Sequence, residues 1–262
     1  MNDASAMRQD WDERARKDAF FYIASWRKDW DLPAFLKSGE EDYDRLVAPL
    51  FGRTGFVPQG KTAIELGCGA GRMTRTFAAH FERVIAFDVS EEMLKRAQAL
   101  LPDVGNITWF HSNGENLGEA GDKSADFVFS YLVLQHLPQE ELVRAYIREM
   151  LRVLRRGGLC LFQFNGSRRP TMNWKGHLAW KLIDGLWAMR MRKLSRSVAT
   201  LAGFDPEMAG NSWHGTSMTA AQVAETVRAA GGAVIEMSGE NTAMAWCAAR
   251  RTDSDAGATA RT

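Results

Sequence analysis

Residues 62–71 read TAIELGCGAG, and this stretch decides the fold. Thr62 to Leu66 is a short apolar run typical of a buried strand, and the glycines at positions 67, 69 and 71 interrupt it. The next residues, Arg72 to His80, continue with helical spacing. The pattern predicts a strand, a tight turn and a helix in direct succession, which is the repeating unit of a parallel sheet.

The same turn, together with two acidic residues, predicts a ligand site. Glycines let the backbone approach a ligand that side chains would hold away, and a helix begins directly afterwards. Asp88 ends the next predicted strand, Arg83 to Asp88, where a carboxylate can accept both hydrogen bonds of a ribose diol. The glycine spacing is Gly-x-Gly-x-Gly rather than the dinucleotide pattern Gly-x-Gly-x-x-Gly, and Glu65 would repel a pyrophosphate but attract an ammonium group. These features favour a nucleoside that carries an amino-acid arm.

Strands and helices continue to alternate along the chain. Ser90 begins a helix with acidic residues in its first turn, and Thr219 with Gln222 forms the capping box of another. A helix is predicted at Pro138–Leu154, with Gly157-Gly158 ending it, and further strands at Ile107–Phe110, Asp126–Ser130, Leu159–Phe164, Ala233–Met237 and Ala243–Ala249. The last two strands are expected to be an antiparallel pair at or near the sheet edge. We therefore expect an α/β fold with a doubly wound, mostly parallel, seven-stranded sheet.

Helical segments are expected to flank and interrupt this sheet. Residues 1–55 are predicted to form a helical N-terminal cap, and residues 56–251 the main domain, with a helical lid insertion at about 166–215 after the fifth strand. Residues 252–262 are expected to form a flexible tail. Between Arg168 and Arg196 the insertion has eight basic residues and one acidic residue. One amphipathic helix is predicted there from the apolar residues Trp180, Ile183, Trp187, Met191, Leu194, Val198 and Leu201.

Several segments, taken in order, resemble the class I S-adenosylmethionine-dependent methyltransferases of the small-molecule type. Ala63 to Gly71 is similar to their first motif, and Ala86 to Leu94 to their ribose-binding segment. Residues 113–117 resemble the turn that contacts adenine, residues 126–137 the fourth strand and active-site rim, and residues 152–158 the turn before the fifth strand. The resemblance implies a Rossmann-like fold and S-adenosyl-L-methionine as cofactor, with S-adenosyl-L-homocysteine as product.

The resemblance also implies which residues bind that cofactor. Glu65 would hold the methionine amino group, Asp88 the ribose hydroxyls, and Val89 with Met93 the two faces of the adenine. The complete predicted set is Glu65, Gly67, Cys68, Gly69, Gly71, Asp88, Val89, Met93, Asn113, Gly114, Glu115, Ser130 and Tyr131. No metal site is expected, because the three cysteines are too dispersed to form a metal-binding motif.

Three residues are candidates for a direct role with the acceptor, each with a structural alternative. His136 could take a proton as a neutral imidazole, although a histidine bonded to the backbone at a helix start is the favoured alternative. His214, beside Trp213 at the end of the insertion, is a candidate for the same role with the same kind of structural alternative. Tyr22 could close the pocket from the N-terminal helix or could simply pack on the sheet.

Composition restricts the class of protein and its partners. The 262 residues are 45% hydrophobic and 25% charged, with a net charge of +1, as in an ordinary globular chain with no broad basic surface for nucleic acid. Residues 1–17 lack the apolar run of a secretory signal, so a cytoplasmic location is expected. The basic insertion has three interpretations: a solvated face, a site that attracts an anionic substrate, or peripheral membrane contact. The oligomeric state is not predicted.

These observations predict an enzyme that transfers a methyl group to an oxygen, nitrogen or sulfur nucleophile of a small, partly apolar acceptor. Two alternatives stay open. The first is a peripheral-membrane lipid or quinone methyltransferase, and the second is a non-catalytic regulatory module that binds S-adenosylmethionine.

Overall fold

The computed structural model describes residues 3–167, 174–189, 191–203 and 215–252. His214 and the tail beyond residue 252 lie outside the described residues. The α-helices within them are α1 (Asp3–Ile23), α2 (Leu32–Asp42), α3 (Ala48–Thr54), α4 (Arg72–His80), α5 (Glu91–Leu100), α6 (Glu140–Val153), α7 (Trp174–Ala188), α8 (Arg192–Leu201) and α9 (Ala220–Ala229). A short π-helical stretch, Tyr43–Val47, joins α2 to α3, and a 3₁₀ turn covers Leu134–His136.

Seven strands form one sheet in the order β3-β2-β1-β4-β5-β7-β6. Their bounds are β1 (Thr62–Leu66), β2 (Arg83–Asp88), β3 (Ile107–His111), β4 (Ala125–Ser130), β5 (Leu154–Phe164), β6 (Gly232–Ser238) and β7 (Ala245–Arg251). Strands β1 to β5 pair in parallel, whereas β7 is antiparallel to both of its neighbours. The prediction of a doubly wound, mostly parallel, seven-stranded sheet is confirmed. The strand order reverses between β1 and β4, where doubly wound sheets bind ligands at their carboxyl edge.

Apolar side chains on both faces of the central strands hold the helices against the sheet. Every residue of β1 is buried, as expected of a parallel strand covered on both sides. One face packs against α6 and α9 through residues such as Ile64, Val128, Phe162, Ile147 and Val223. The opposite face packs against α3 and α4 through residues such as Leu50, Phe77, Phe127, Phe129 and Leu161. The central strand ends are therefore fixed in position by packing on both sides.

Helix α1 is attached to the beginning of α5 through a capping interaction. The Ser90 hydroxyl accepts the Met93 N–H at the start of α5 and donates to Asp12 Oδ1 of α1 at 2.6 Å. The same Asp12 oxygen accepts the Glu92 N–H at 3.2 Å. Further along α1 the backbone is extended at Asp18, whose carboxylate accepts the Phe21 N–H and so restarts the helix. The helix therefore bends over the carboxyl edge of the sheet.

Two local predictions differ from the structure. Within its described residues the insertion contains two helices rather than one, because α7 ends at Ala188, α8 begins at Arg192, and the Ser195 hydroxyl of α8 donates to the Ile183 carbonyl of α7. Gly157 does not separate a helix from a strand. It lies inside β5, in an irregular region where the pairing shifts, so that Ala125 is opposite Leu154 but Phe127 is opposite Leu159.

Within the described residues, no helix is both long enough and apolar enough to cross a membrane.

Candidate active site

The glycine turn after β1 approaches two apolar side chains more closely than any other residue type would allow. Gly67 and Gly69 have φ values of 75° and 55°, in the left-handed region. A Cβ atom on Gly67 would lie 2.1 Å from Cγ2 of Val133, and one on Gly69 would lie 2.7 Å from Cδ1 of Ile23. The N–H groups of Gly67 and Cys68 both donate to the Phe87 carbonyl. The turn is therefore fixed to the end of β2, beside Asp88.

Asp88 is buried at the carboxyl end of β2, and the backbone holds both of its oxygens. The Gly69 N–H donates to Oδ2 and the Ser90 N–H donates to Oδ1, each at 2.8 Å. Burial raises the pKa of Asp88 to about 6, against the lowering effect of these two N–H groups. Each carboxylate oxygen has two lone pairs, so Asp88 can accept further hydrogen bonds from a ligand.

Glu65 is buried near the end of β1, two residues before Gly67 of the glycine turn. The Thr74 hydroxyl donates to its Oε2 at 2.6 Å. Burial raises the pKa of Glu65 to about 8, while the Thr74 bond and the nearby Arg72 lower it and the Asp88 charge raises it further. A buried acid of this kind gains most from a cationic ligand group, which would favour its ionised form.

A cavity lies at the carboxyl edge of the sheet between these residues and α1. The predicted site residues that line it are Tyr22, Gly67, Gly69, Asp88, Val89, Met93, Tyr131 and His136. Further lining residues are Met7, Trp11, Ile23, Leu66, Ser112, Leu132, Val133, Leu137 and Tyr146. The cavity is thus mainly apolar, with a few polar groups at fixed positions, as is typical of a small-molecule site.

The remaining predicted residues surround this cavity without lining it. Glu65 is buried behind the turn, and Cys68 packs among Ala86 and Leu94 on the other side of it. Gly71 caps α4, and Ser130 is buried at the end of β4. The side chain of Asn113 accepts the N–H groups of Glu115 and Asn116, which folds residues 113–116 into a turn beside Ser112.

Sequence reasoning missed several residues of the cavity wall. Ser112 accepts the Gly114 N–H at 3.1 Å and is hydrogen-bonded to the Tyr146 hydroxyl, so it links the turn after β3 to α6. Burial raises the pKa of Tyr146 to about 12, which keeps its hydroxyl protonated at neutral pH. Helical spacing identifies Tyr146 as a core residue, and only the tertiary fold shows that it reaches a ligand cavity. Val133 and Ile23 likewise have no local signal, since their role is to fill the space beside the glycines.

An arginine stack lies next to Tyr131 at the cavity wall. The Arg72 guanidinium lies 5.9 Å from the Tyr131 ring and 5.4 Å from the Trp26 ring. Its Nη1 bonds to Asp42 at 2.5 Å and to the Ser38 carbonyl at 2.9 Å. These contacts fix α2 and the segment after α1 against the glycine turn, since Arg72 is the residue that follows it.

Comparisons with known proteins agree with this geometry. Residues 64–162 match the family model described as a methyltransferase domain. The trans-aconitate 2-methyltransferase of Azoarcus sp. is 29% identical over 175 residues, which cover 66% of this chain and 63% of that protein. The demethylmenaquinone methyltransferase of Tropheryma whipplei is 31% identical over 114 residues, which cover 43% of this chain and 46% of that protein. The chain thus spans less than two thirds of the length of these relatives.

A solved structure with the same fold covers nearly the whole chain. The magnesium protoporphyrin IX methyltransferase of Synechocystis PCC 6803, solved with bound SAH, superposes with a TM-score of 0.60 at 18% identity and covers 95% of this chain and 100% of its own. Residues 64–162 therefore form a methyltransferase domain, and the solved structure shows the same fold over nearly the whole chain.

Proposed function

We propose that this protein transfers the methyl group of S-adenosylmethionine to an oxygen, nitrogen or sulfur nucleophile of a small, partly apolar acceptor. The observation that carries the proposal is the joint placement of Gly67, Gly69 and Asp88 on one cavity at the strand switch point. The relatives supply further support, since the substrates in their names, trans-aconitate and demethylmenaquinone, are small molecules. A cytoplasmic location stays a prediction from the sequence.

The residues present fit this cofactor. Gly67 and Gly69 line the cavity with backbone alone, which a ligand can approach closely, and Asp88 retains lone pairs for two hydroxyl groups. Val89 and Met93 line the cavity and would supply apolar contacts for the adenine, while Glu65 behind the turn would ionise to bind the methionine ammonium. When bound, S-adenosylmethionine supplies an electrophilic methyl group on a sulfonium. The chain would contribute alignment and exclusion of water, since Trp11, Tyr22 and Ile23 of α1 line the cavity.

The direct test combines binding with turnover. We expect calorimetry to detect binding of S-adenosylmethionine and S-adenosylhomocysteine, and incubation with a panel of small metabolites to yield S-adenosylhomocysteine only with particular acceptors. Binding without turnover on any acceptor would instead identify a regulatory module. Absence of binding would refute the proposal altogether.

The raised pKa of Glu65 leads to a prediction on stability and pH. Between pH 4.5 and about 8 the folded protein keeps a proton on Glu65 that the unfolded chain has released, so the free energy of unfolding falls as pH rises through this window. Asp88 adds a slope of the same sign between pH 3.8 and about 6. Glu65→Gln removes the Glu65 contribution, so the unliganded variant should melt higher than the wild type above pH 8, by on the order of 5 °C. The same variant should bind S-adenosylmethionine more weakly, because the amide is uncharged.

Glu149 provides a control of opposite sign. Its pKa is lowered by the bond from Arg152, so Glu149→Gln should reduce stability at neutral pH and leave cofactor affinity unchanged. Thermal melts over a pH series, with and without S-adenosylhomocysteine, distinguish the two variants. An unliganded Glu65→Gln protein that is less stable than the wild type above pH 8 would contradict the prediction.

We also propose that the helical insertion contacts an anionic membrane surface. Helices α7 and α8 pack chiefly against each other around Ile183 and Ala199, and each leaves apolar side chains exposed. These are Leu178 and Leu182 on α7 and Leu194 and Leu201 on α8, and Met189 and Met191 between the helices are exposed as well. Lys181, Lys193 and Arg196 are exposed among them. Exposed leucine and methionine beside basic residues are typical of helices that lie in a lipid interface.

Vesicle flotation tests this contact. We expect the protein to float with vesicles that contain phosphatidylglycerol and to stay behind with pure phosphatidylcholine, and to be released at high salt. Leu182→Asp combined with Leu194→Asp should weaken the partition about tenfold or more, because both side chains lose their apolar contact with lipid. Val57→Asp, at an exposed apolar site before β1, is the matched control. Flotation of the double variant equal to that of the wild type would reject the membrane proposal. A wild type that dimerises, with a double variant that does not, would also reject it.

A further inference from the structure

Gln163 is a fully buried side chain at the end of β5 whose amide orientation is fixed by its surroundings. Its Oε1 accepts the Leu132 N–H at 3.2 Å. Its Nε2 lies 2.7 Å from the Ala243 carbonyl and 3.0 Å from the Phe164 carbonyl. A backbone N–H can only donate and a carbonyl can only accept, so the oxygen and the nitrogen of this amide cannot exchange places.

The orientation of Gln163 determines the orientation of its neighbour Gln135. Gln163 Nε2 also lies 3.0 Å from Gln135 Oε1, so its two hydrogens are shared among three acceptor oxygens. The Gln135 amide nitrogen must then face the other way, where it lies 3.1 Å from Nε2 of His136. An amide nitrogen has no lone pair to offer, so it donates, and Nε2 of His136 must be the acceptor. His136 is thereby held as a neutral imidazole with its proton on Nδ1.

This chain of bonds ends at the candidate active site. His136 is buried, lines the same cavity as Gly67 and Asp88, and packs edge-on against Trp11 at 5.2 Å between ring centroids. The Gln163 oxygen also holds Leu132, a cavity residue with a φ of 59°, which is strained for a residue with a side chain. One buried amide thus sets both the backbone of the cavity wall and the tautomer of its histidine.

We propose that Gln163 and Gln135 are positioning residues that keep Nε2 of His136 unprotonated, as the atom that receives the proton of the acceptor. The proposal rests on the proposed methyl transfer. In that step the acceptor heteroatom forms a bond to the methyl carbon, the carbon–sulfur bond breaks, and its electron pair stays on sulfur. The proton of the acceptor passes to His136 Nε2 once the acceptor displaces the Gln135 amide hydrogen. The imidazolium later releases the proton to solvent.

Nuclear magnetic resonance of the imidazole nitrogens tests the tautomer without cofactor or acceptor. In ¹⁵N-labelled protein, long-range ¹H–¹⁵N correlations separate protonated from unprotonated ring nitrogens, and His136→Gln identifies the His136 signals among the five histidines by their loss. We expect Nδ1 protonated and Nε2 unprotonated at neutral pH. A protonated Nε2 in the wild type would overturn the proposal.

Gln135→Glu is the decisive variant because it keeps both hydrogen bonds and reverses one of them. A carboxylate at position 135 accepts from Gln163 and also from His136, so Nε2 must become protonated and its ¹⁵N signal must move accordingly. We expect kcat to fall about a hundredfold, while affinity for S-adenosylhomocysteine and KM for S-adenosylmethionine stay near the wild-type values. Unchanged tautomer and kcat in this variant would refute the relay.

The two proposals fail separately. A wild type that shows the expected tautomer but no turnover on any acceptor would refute methyl transfer and leave the hydrogen-bond relay in place. Turnover with a protonated Nε2 would refute only the relay. Should Gln135→Glu not fold, the wild-type spectrum alone decides the assignment of the proton.

Discussion

Asp88→Ala is expected to weaken the binding of S-adenosylhomocysteine by about 1 to 3 kcal/mol, a loss of roughly fivefold to 150-fold in affinity. The variant removes the acceptor for the ribose hydroxyls, and it also frees the N–H groups of Gly69 and Ser90, which both donate to this carboxylate. The glycine turn and the start of α5 then lose their common partner. Isothermal titration calorimetry at neutral pH measures the effect directly.

Asp126→Ala is the matched control for this variant. Asp126 also accepts a backbone N–H, from Thr62 at 2.9 Å, and bonds to Arg155, but it lies at the amino end of β4, away from the cavity. Both variants lose a carboxylate that holds backbone, and only Asp88→Ala loses a ligand contact. Equal cofactor affinity in the two variants would remove Asp88 from the binding site.

Gly67→Ala is expected to reduce both stability and ligand binding. The alanine must adopt a φ near 75°, at a cost of about 1 to 2 kcal/mol, and its Cβ would overlap Cγ2 of Val133. Valine is stiff about χ1, so the overlap displaces the cavity wall rather than a flexible side-chain end, which adds about 1 to 3 kcal/mol. Urea denaturation should show the summed loss, and calorimetry should show weak binding or none.

Gly60→Ala separates backbone strain from the steric overlap. Gly60 has a φ of 72°, and a Cβ there would meet no atom within 4 Å. This variant should lose only about 1 to 2 kcal/mol of stability and keep full affinity. The double variant Gly67→Ala with Val133→Ala should recover part of the stability lost by Gly67→Ala. Equal losses in Gly67→Ala and Gly60→Ala would mean that the close approach to Val133 is unimportant.

The sheet could be predicted because its signals are local. Buried strands such as Thr62–Leu66, followed by glycines and then a helical pattern, specify each strand and crossover separately, and the crossover rule then assembles them. The end of a helix depends also on strand pairing between distant segments, which has no local signal. Gly157 was expected to separate α6 from β5, but the pairing of β5 with β4 continues past it through an irregularity.

The sequence predicts most directly the cavity residues whose place follows from a turn or a strand end. Gly67, Gly69 and Asp88 lie at a turn and a strand end, and both places follow from the alternation of elements. Tyr146 reaches the cavity from α6, and Val133 reaches it from the turn after β4, because of how distant segments pack. The hydrogen-bond chain from Gln163 through Gln135 to His136 depends on a bond between Gln163 and Gln135, which are 28 positions apart. No local sequence pattern predicts this bond.

The anchoring of α1 has a consequence for the order of events in a catalytic cycle. Asp12 of α1 accepts a hydrogen bond from the Ser90 hydroxyl, and Asp88 accepts the N–H groups of both Ser90 and Gly69. Helix α1, which forms the roof of the cavity, is therefore joined to the glycine turn by one continuous set of hydrogen bonds. A nucleoside bound in the cavity would contact α1, whose Met7, Trp11, Tyr22 and Ile23 line it. Lifting of the N-terminal helix, rather than methyl transfer itself, is therefore expected to pace release of the spent nucleoside.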